Sequence, residues 1–214
     1  MRKKLFVFVF ILFLFLYPLC FSKSAEEIIN KFEEKFREIK SLSADFVQIY
    51  HSDALSTPLK EKGKLYFKNP SLMRWDYFEP ERKIFIYSKG EFLLYVPEDK
   101  QVIKSSRFKE KFESEILSIL TGQLKITENY KIDFFNSENK EKTYSLKLKP
   151  LKEREYTFIL IELEKDKFYI KRAVFFDWAG SKQEFIFSNI KENISIPDKL
   201  FTLNLPPGVE IIIE

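Results

Sequence analysis

His51, Ser52 and Asp53 are the one place where this chain sets an imidazole beside a hydroxyl and a carboxylate, the group types of acyl-transfer chemistry. They are contiguous at the end of a predicted strand, whereas a triad is defined by roles in space and not by adjacency. No G-x-S-x-G elbow accompanies them. The esterase reading rests on His51 alone, and no catalytic residue is assigned. One His and one Cys, Cys20, are too few for a zinc site built from such ligands. The five glycines are never closer than 27 residues apart, so no loop can cradle a phosphate. Neither a metal nor a cofactor is expected.

What remains is a greasy chain. Of 214 residues 45% are hydrophobic and 17% aromatic, with 24 Phe, which suits one mid-sized domain with a large apolar core. The 32% of charged residues argue against disorder and against several membrane spans.

Met1-Arg2-Lys3-Lys4 followed by the apolar run Leu5 to Tyr17 and Pro18 has the pattern of a signal peptide. The expected division is a cleaved leader over 1–22, cut near Ser22, and one domain over 23–214. Two other readings stay open, a retained membrane anchor and a lipid-modified Cys20, although Pro18-Leu19 make a poor context for the latter. Losing Arg2, Lys3 and Lys4 lowers the formal charge from +4 to +1. A nearly neutral body offers no electrostatic footprint for nucleic acid. The mature chain then holds no Cys, and its core must carry the fold without disulfides.

Ser24 and Glu27 form a capping box. Ala25, Ile28, Ile29, Phe32, Phe36 and Ile39 then fall on one helical stripe. From Leu42 the period shortens to that of strands, broken by turns such as Ser88-Lys89-Gly90, Pro97-Glu98-Asp99 and Asp177-Trp178-Ala179-Gly180. Twelve strands are predicted, near 42–51, 59–69, 72–78, 82–88, 91–97, 100–104, 130–135, 142–149, 155–163, 167–176, 181–190 and 209–213, as an antiparallel meander. Phe108, Phe112, Ile116 and Leu120, with Gly122 beyond, predict a second helix over 105–121. Ile84 to Tyr87, Phe92 to Val96, Ala173 to Phe176 and Phe185 to Phe187 are apolar on both faces, so both faces must leave water. Two helices cannot roof so wide a sheet. It must curl around either a packed core or a hollow.

Gly63-Lys64-Leu65, Asn69-Pro70, Leu72-Met73-Arg74-Trp75, Pro80, Lys89-Gly90 and Tyr95-Val96-Pro97 stand in the order G-x-L, x-P, L-x-x-W, P, K-G and Y-x-P. Phe46-Val47-Gln48 precedes them, and Phe201 to Glu210 closes the chain with an F-x-x-x-x-P-x-G-V pattern. In this collinearity the sequence resembles the LolA family of periplasmic outer-membrane lipoprotein carriers, over nearly the whole mature chain.

The resemblance implies a mainly β fold of the α+β class. It would be a strongly curved, incomplete antiparallel barrel of 11–12 strands, with an N-terminal helix and an inserted lid helix over an apolar cavity. It also implies a periplasmic carrier; apart from the resemblance, no enzymatic activity is expected and a monomer is the expected state. Lipoprotein acyl chains would arrive from an inner-membrane ABC transporter, LolCDE, and leave to an outer-membrane receptor, LolB. The expected cavity wall is Trp75, Tyr77, Ile84, Ile86, Phe92 and Leu94, roofed by Phe108, Phe112, Ile116 and Leu120. Family members place an Arg before the motif's Pro as a latch on the lid. Here that position is Asn69, and Arg74 is the candidate for supplying the cation instead. The family's docking loop carries a Phe two residues before the Trp, which makes Leu72 and Met73 the docking candidates. The bland alternatives are a surface Arg74 and a core Met73. A membrane-anchored receptor of the LolB type, a general amphiphile binder and a purely structural module are the competing functions.

Overall fold

The computed structural model describes residues 23–88, 90–105, 118–119, 124–136 and 141–213. Helix α1 spans Ala25–Glu38. The Ser24 hydroxyl accepts the Glu27 N–H at 3.0 Å, as the capping box requires. Glu26 and Glu27 occupy the positive first turn, and Lys35 and Arg37 the negative last one. The whole predicted stripe from Ala25 to Ile39 is buried.

Among the described residues twelve strands follow: β1 Ser41–His51, β2 Leu59–Lys68, β3 Leu72–Glu79, β4 Lys83–Ser88, β5 Glu91–Val96, β6 Gln101–Ser105, β7 Tyr130–Phe134, β8 Thr143–Pro150, β9 Tyr156–Glu164, β10 Ile170–Asp177, β11 Lys182–Glu192 and β12 Glu210–Ile213. A short helix α2, Ile126–Asn129, leads into β7, and a 3-10 helix, Asp198–Phe201, lies between β11 and β12. Turn chemistry explains the tight hairpins. The Asp177 carboxylate accepts the N–H groups of Ala179 and Ser181 at 2.9 and 2.8 Å, and Gly180 takes φ +84°.

The strands form one sheet in the order β12-β6-β5-β4-β3-β2-β1-β11-β10-β9-β8-β7. Two meanders, β1 to β6 and β7 to β11, are therefore joined through β1 and β11. The expectation of a wholly antiparallel sheet needs correction at one edge, where β12 runs parallel to β6. Among the described residues no ladder joins β7 to β12, so the sheet is open.

It is also strongly bent. The Trp75 ring on β3 lies 5.7 Å from Phe185 and 6.2 Å from Phe187, both on β11. Three strand spacings in a flat sheet measure about 14 Å. Irregular register near Ser43, Gly63, Ile170 and Phe176 adds local twist.

The concave face and α1 share the main core, in which Ile28, Ile29 and Phe32 are buried together with Leu146, Ile159, Ile161 and Phe175. Glu33, on the same helix, is 4% exposed and accepts the Ile126 N–H at 2.7 Å, which fixes α2 against α1.

Two-sided apolar strands have a second cause that the sequence did not announce. After β11 the chain crosses the convex face as a strap, and Ile196 and Phe201 bury Ile86 between Tyr66, Leu72, Ile84 and Leu93. Polar ties hold the strap: Ser41 Oγ donates to the Ile194 carbonyl at 2.6 Å, Lys68 Nζ to that of Ile196 at 3.1 Å, and Arg74 Nη1 to that of Leu200 at 2.8 Å.

Candidate functional site

One row of side chains crosses the concave face: Leu65, Trp75, Phe85, Leu94, Ile103 and Ile212 stand opposite one another on β2, β3, β4, β5, β6 and β12. Its burial is graded. Leu65 and Trp75 are each 3% exposed, whereas Phe85, Leu94, Ile103 and Ile212 are half-buried. On the other half of the same face Leu146, Leu148, Ile159, Ile161 and Leu163 are fully sealed. The open end of the row is thus an apolar strip on β4, β5, β6 and β12, continuous with an aromatic wall.

That wall is dense. Phe46 meets Trp75 and Tyr77 edge-on at 4.7 and 4.9 Å, and Tyr77, Phe85 and Phe92 follow in sequence at 5.4 and 5.5 Å. Such contacts hold rings at fixed angles. Gly63 makes the wall possible, because a Cβ there would overlap the Phe46 ring and the Asp76 carbonyl oxygen.

Polar groups bound the strip at one end. The Tyr77 hydroxyl donates to Gln48 Oε1 at 2.5 Å, and Lys83, paired with Glu61, sits 4.5 Å over the Tyr77 ring. Burial first, and the Glu61 carboxylate second, push the Tyr77 hydroxyl up, so it stays a neutral donor.

The structure divides the expected cavity wall. Trp75, Tyr77, Phe92 and Leu94 share the concave face. Ile84 and Ile86 do not, and are corrected to the convex face, because Trp75 stands opposite Phe85 and alternation sends Ile84 and Ile86 under the strap. Phe85 and Tyr87 take their places, the latter opposite Met73 and Phe92. Phe108, Phe112, Ile116 and Leu120 lie outside the described residues. Ser118 and Ile119 between them are helical, and Ile119 is fully buried in the main core.

The docking and latch positions also resolve differently from expectation. Met73 is 2% exposed in the core and presents nothing to a partner; its spacing before Trp75 places it on the same face, which is the signal for the core reading. Leu72 packs under the strap. Asn69 donates from Nδ2 to the Ile39 carbonyl at 3.3 Å and from its backbone N–H to that of Lys40 at 2.9 Å, so it fixes the end of α1. Arg74 binds Asp76 at 2.6 Å and the Leu200 carbonyl, both on the convex side, so it latches the strap and not a concave-side lid.

His51 and Ser52 engage different partners. The Ser52 hydroxyl accepts the Ala54 N–H at 3.3 Å as a turn cap, and His51 Nε2 approaches Glu184 at 3.9 Å.

Comparison of the sequence with known proteins identifies a family. The family model described as outer membrane lipoprotein carrier protein LolA covers residues 37–204. The outer-membrane lipoprotein carrier protein of Helicobacter hepaticus is 31% identical over 174 residues, 81% of this chain and 84% of that one. That of Methylococcus capsulatus is 29% identical over 174 residues, 80% of this chain and 81% of that one. Among solved structures, an uncharacterized conserved protein from Thermus thermophilus shares the fold with a TM-score of 0.60 at 13% identity, over 90% of this chain and all of that one. With the family model matched over residues 37–204 and a relative 31% identical across four fifths of both chains, the chain belongs to the LolA family of outer-membrane lipoprotein carrier proteins.

Proposed function

We propose that the protein carries lipoproteins by sheltering their acyl chains along the concave strip, in the periplasm, after export directed by residues 1–22. Lipoproteins would be received from an inner-membrane transporter of the LolCDE kind and passed to an outer-membrane receptor of the LolB kind. The observation that carries this reading is the graded row from Trp75 to Ile212, an apolar surface that an otherwise sealed core leaves half-open.

Energy sets the mechanism. Covering a methylene gains about 0.8 kcal/mol, so a dozen gain roughly 10 kcal/mol. Binding is easy and release is the difficulty. Offsetting part of that gain with the work of opening a cover leaves a residual that a slightly better receptor overcomes. The spacing of Phe108, Phe112, Ile116 and Leu120 gives the segment between β6 and β7 the sequence of such a cover.

Purification from the native compartment, followed by mass spectrometry of bound material, tests the proposal. Co-purified lipoproteins with an unmodified amino terminus near Lys23 are expected. An acylated Cys20 would instead indicate a membrane-attached receptor, and a ligand-free protein that fails to take lipopeptide from micelles would overturn the carrier reading.

A further inference from the structure

Among the described residues Trp75 Nε1 is a buried donor with no hydrogen-bond partner, on a side chain only 3% exposed. Buried N–H groups are paired in the great majority of folded proteins, and one left alone in a rigid site calls for a partner. Three rings, those of Phe46, Phe185 and Phe187, pack against the indole at 65–67° between planes, and Leu65 stands opposite it on β2. Ser105 Oγ is a second such group, 1% exposed and unpartnered, opposite Phe92 on the same concave face. Hydrocarbon alone satisfies neither. An acyl ester does, because its tail suits the strip and its carbonyl accepts a hydrogen bond.

We infer that Trp75 Nε1–H donates to the ester carbonyl of a bound glycerolipid, so that the site reads the head of the acyl chain as well as its length. The inference rests on the carrier reading and gives its site a polar specificity element. Trp75 begins the row whose next members, Phe85 and Leu94, are half-buried, which puts the donor at the junction of sealed wall and open strip. Supplying a buried donor of this kind with a matched acceptor discriminates more sharply than adding apolar area, since the analogue without the acceptor leaves the donor unpaired.

The chain has two tryptophans, and Trp178 Nε1 already donates to the Arg154 carbonyl at 2.7 Å, so it serves as an internal reference. Purified 15N-labelled protein is titrated with a short-chain diacylglyceryl-cysteine peptide, its dialkyl-ether counterpart and a phosphatidylglycerol of the same chains, while the two indole N–H resonances are followed. The expected result is a downfield shift of Trp75 with the ester peptide and none with the ether, Trp178 unmoved, and ester binding threefold to tenfold tighter. Trp75→Phe is expected to erase that preference. A shift with the peptide and not the phospholipid assigns the ester to lipoproteins, and shifts with both extend carbonyl recognition to bilayer lipids. Equal binding of ester and ether with a stationary Trp75 resonance overturns the inference while sparing the carrier reading. Failure of all three probes to bind overturns the carrier reading itself.

Discussion

The buried Glu33 carboxylate on α1 accepts the backbone N–H of Ile126, 93 residues later, at 2.7 Å, and that of Thr127 at 3.3 Å. This contact holds α2, and with it the start of β7, against α1. Leaving a buried N–H unpaired costs about 1–3 kcal/mol. Glu33→Ala is expected to lower Tm by about 2–4 °C for each kcal/mol lost, and Glu33→Gln, which keeps an acceptor, by less. Thermal unfolding followed by circular dichroism checks the order, and equal losses for the two variants would remove the hydrogen bond as its cause.

Gly63 should tolerate no side chain. Gly63→Ala forces the Phe46 ring or the β3 backbone to move, and overpacking of this kind costs about 1–3 kcal/mol or more. Urea unfolding is the direct measurement. A variant with unchanged stability would mean that the aromatic wall yields easily.

Arg74 belongs to the strap, so its loss should be felt there. Arg74→Ala is expected to increase amide exchange over residues 194–203 and cost about 1–2 kcal/mol, with lipopeptide binding unaltered. Arg74→Lys should rescue only partly, because one ammonium cannot serve Asp76 and the Leu200 carbonyl with the guanidinium's fixed fork. Slower exchange elsewhere with weakened lipid uptake would argue for a role on the concave face.

Half-open and sealed parts of the concave face should respond to mutation in opposite ways. Leu94→Asp places a charge where water is near, so folding should survive while lipopeptide binding is lost. Leu146→Ala lies in the sealed half and is expected to cost about 2–5 kcal/mol of stability with little direct effect on binding. Paired measurements of unfolding and fluorescent fatty acid binding separate the two.

Acid should weaken the fold through carboxylates held ionised by lysines. The Lys35 hydrogen bond first, and that of Tyr169 after it, hold Glu192 below the usual carboxylate range, as Lys31 holds Glu27. A lowered pKa in the folded state contributes stability above about pH 4.5 that disappears as pH falls through the lowered value. Lys35→Met is therefore expected to flatten the loss of stability between pH 5 and pH 3, read by urea unfolding at each pH. An unchanged slope would exclude the Lys35–Glu192 pair as a contributor.

The twelve strands were legible because turn residues punctuate them and local pattern decides their ends. The face of each strand was not. Ile84-Phe85-Ile86-Tyr87 is apolar at every position, so alternation gives two equivalent phases, and only pairing with Trp75 and the arrival of a strap from residues 194–203 choose between them. Arg74 and Asn69 illustrate the same limit, since their partners Leu200 and Ile39 lie 126 and 30 residues away. Met73 was readable: its place two residues before Trp75 puts it on the same buried face. Trp75 Nε1 carries no sequence signal, because nothing local tells whether an indole finds an acceptor.

The central ladder has a temporal consequence. β1 and β11 pair residues 131–150 positions apart, from His51 with Lys182 to Leu42 with Glu192. A polypeptide emerging amino end first from a ribosome or a secretion pore cannot build its middle seam until nearly all of it has appeared. Pairing across such separations is slow. The hairpins of the first meander can pair as they appear, and the seam that joins the two meanders sets last.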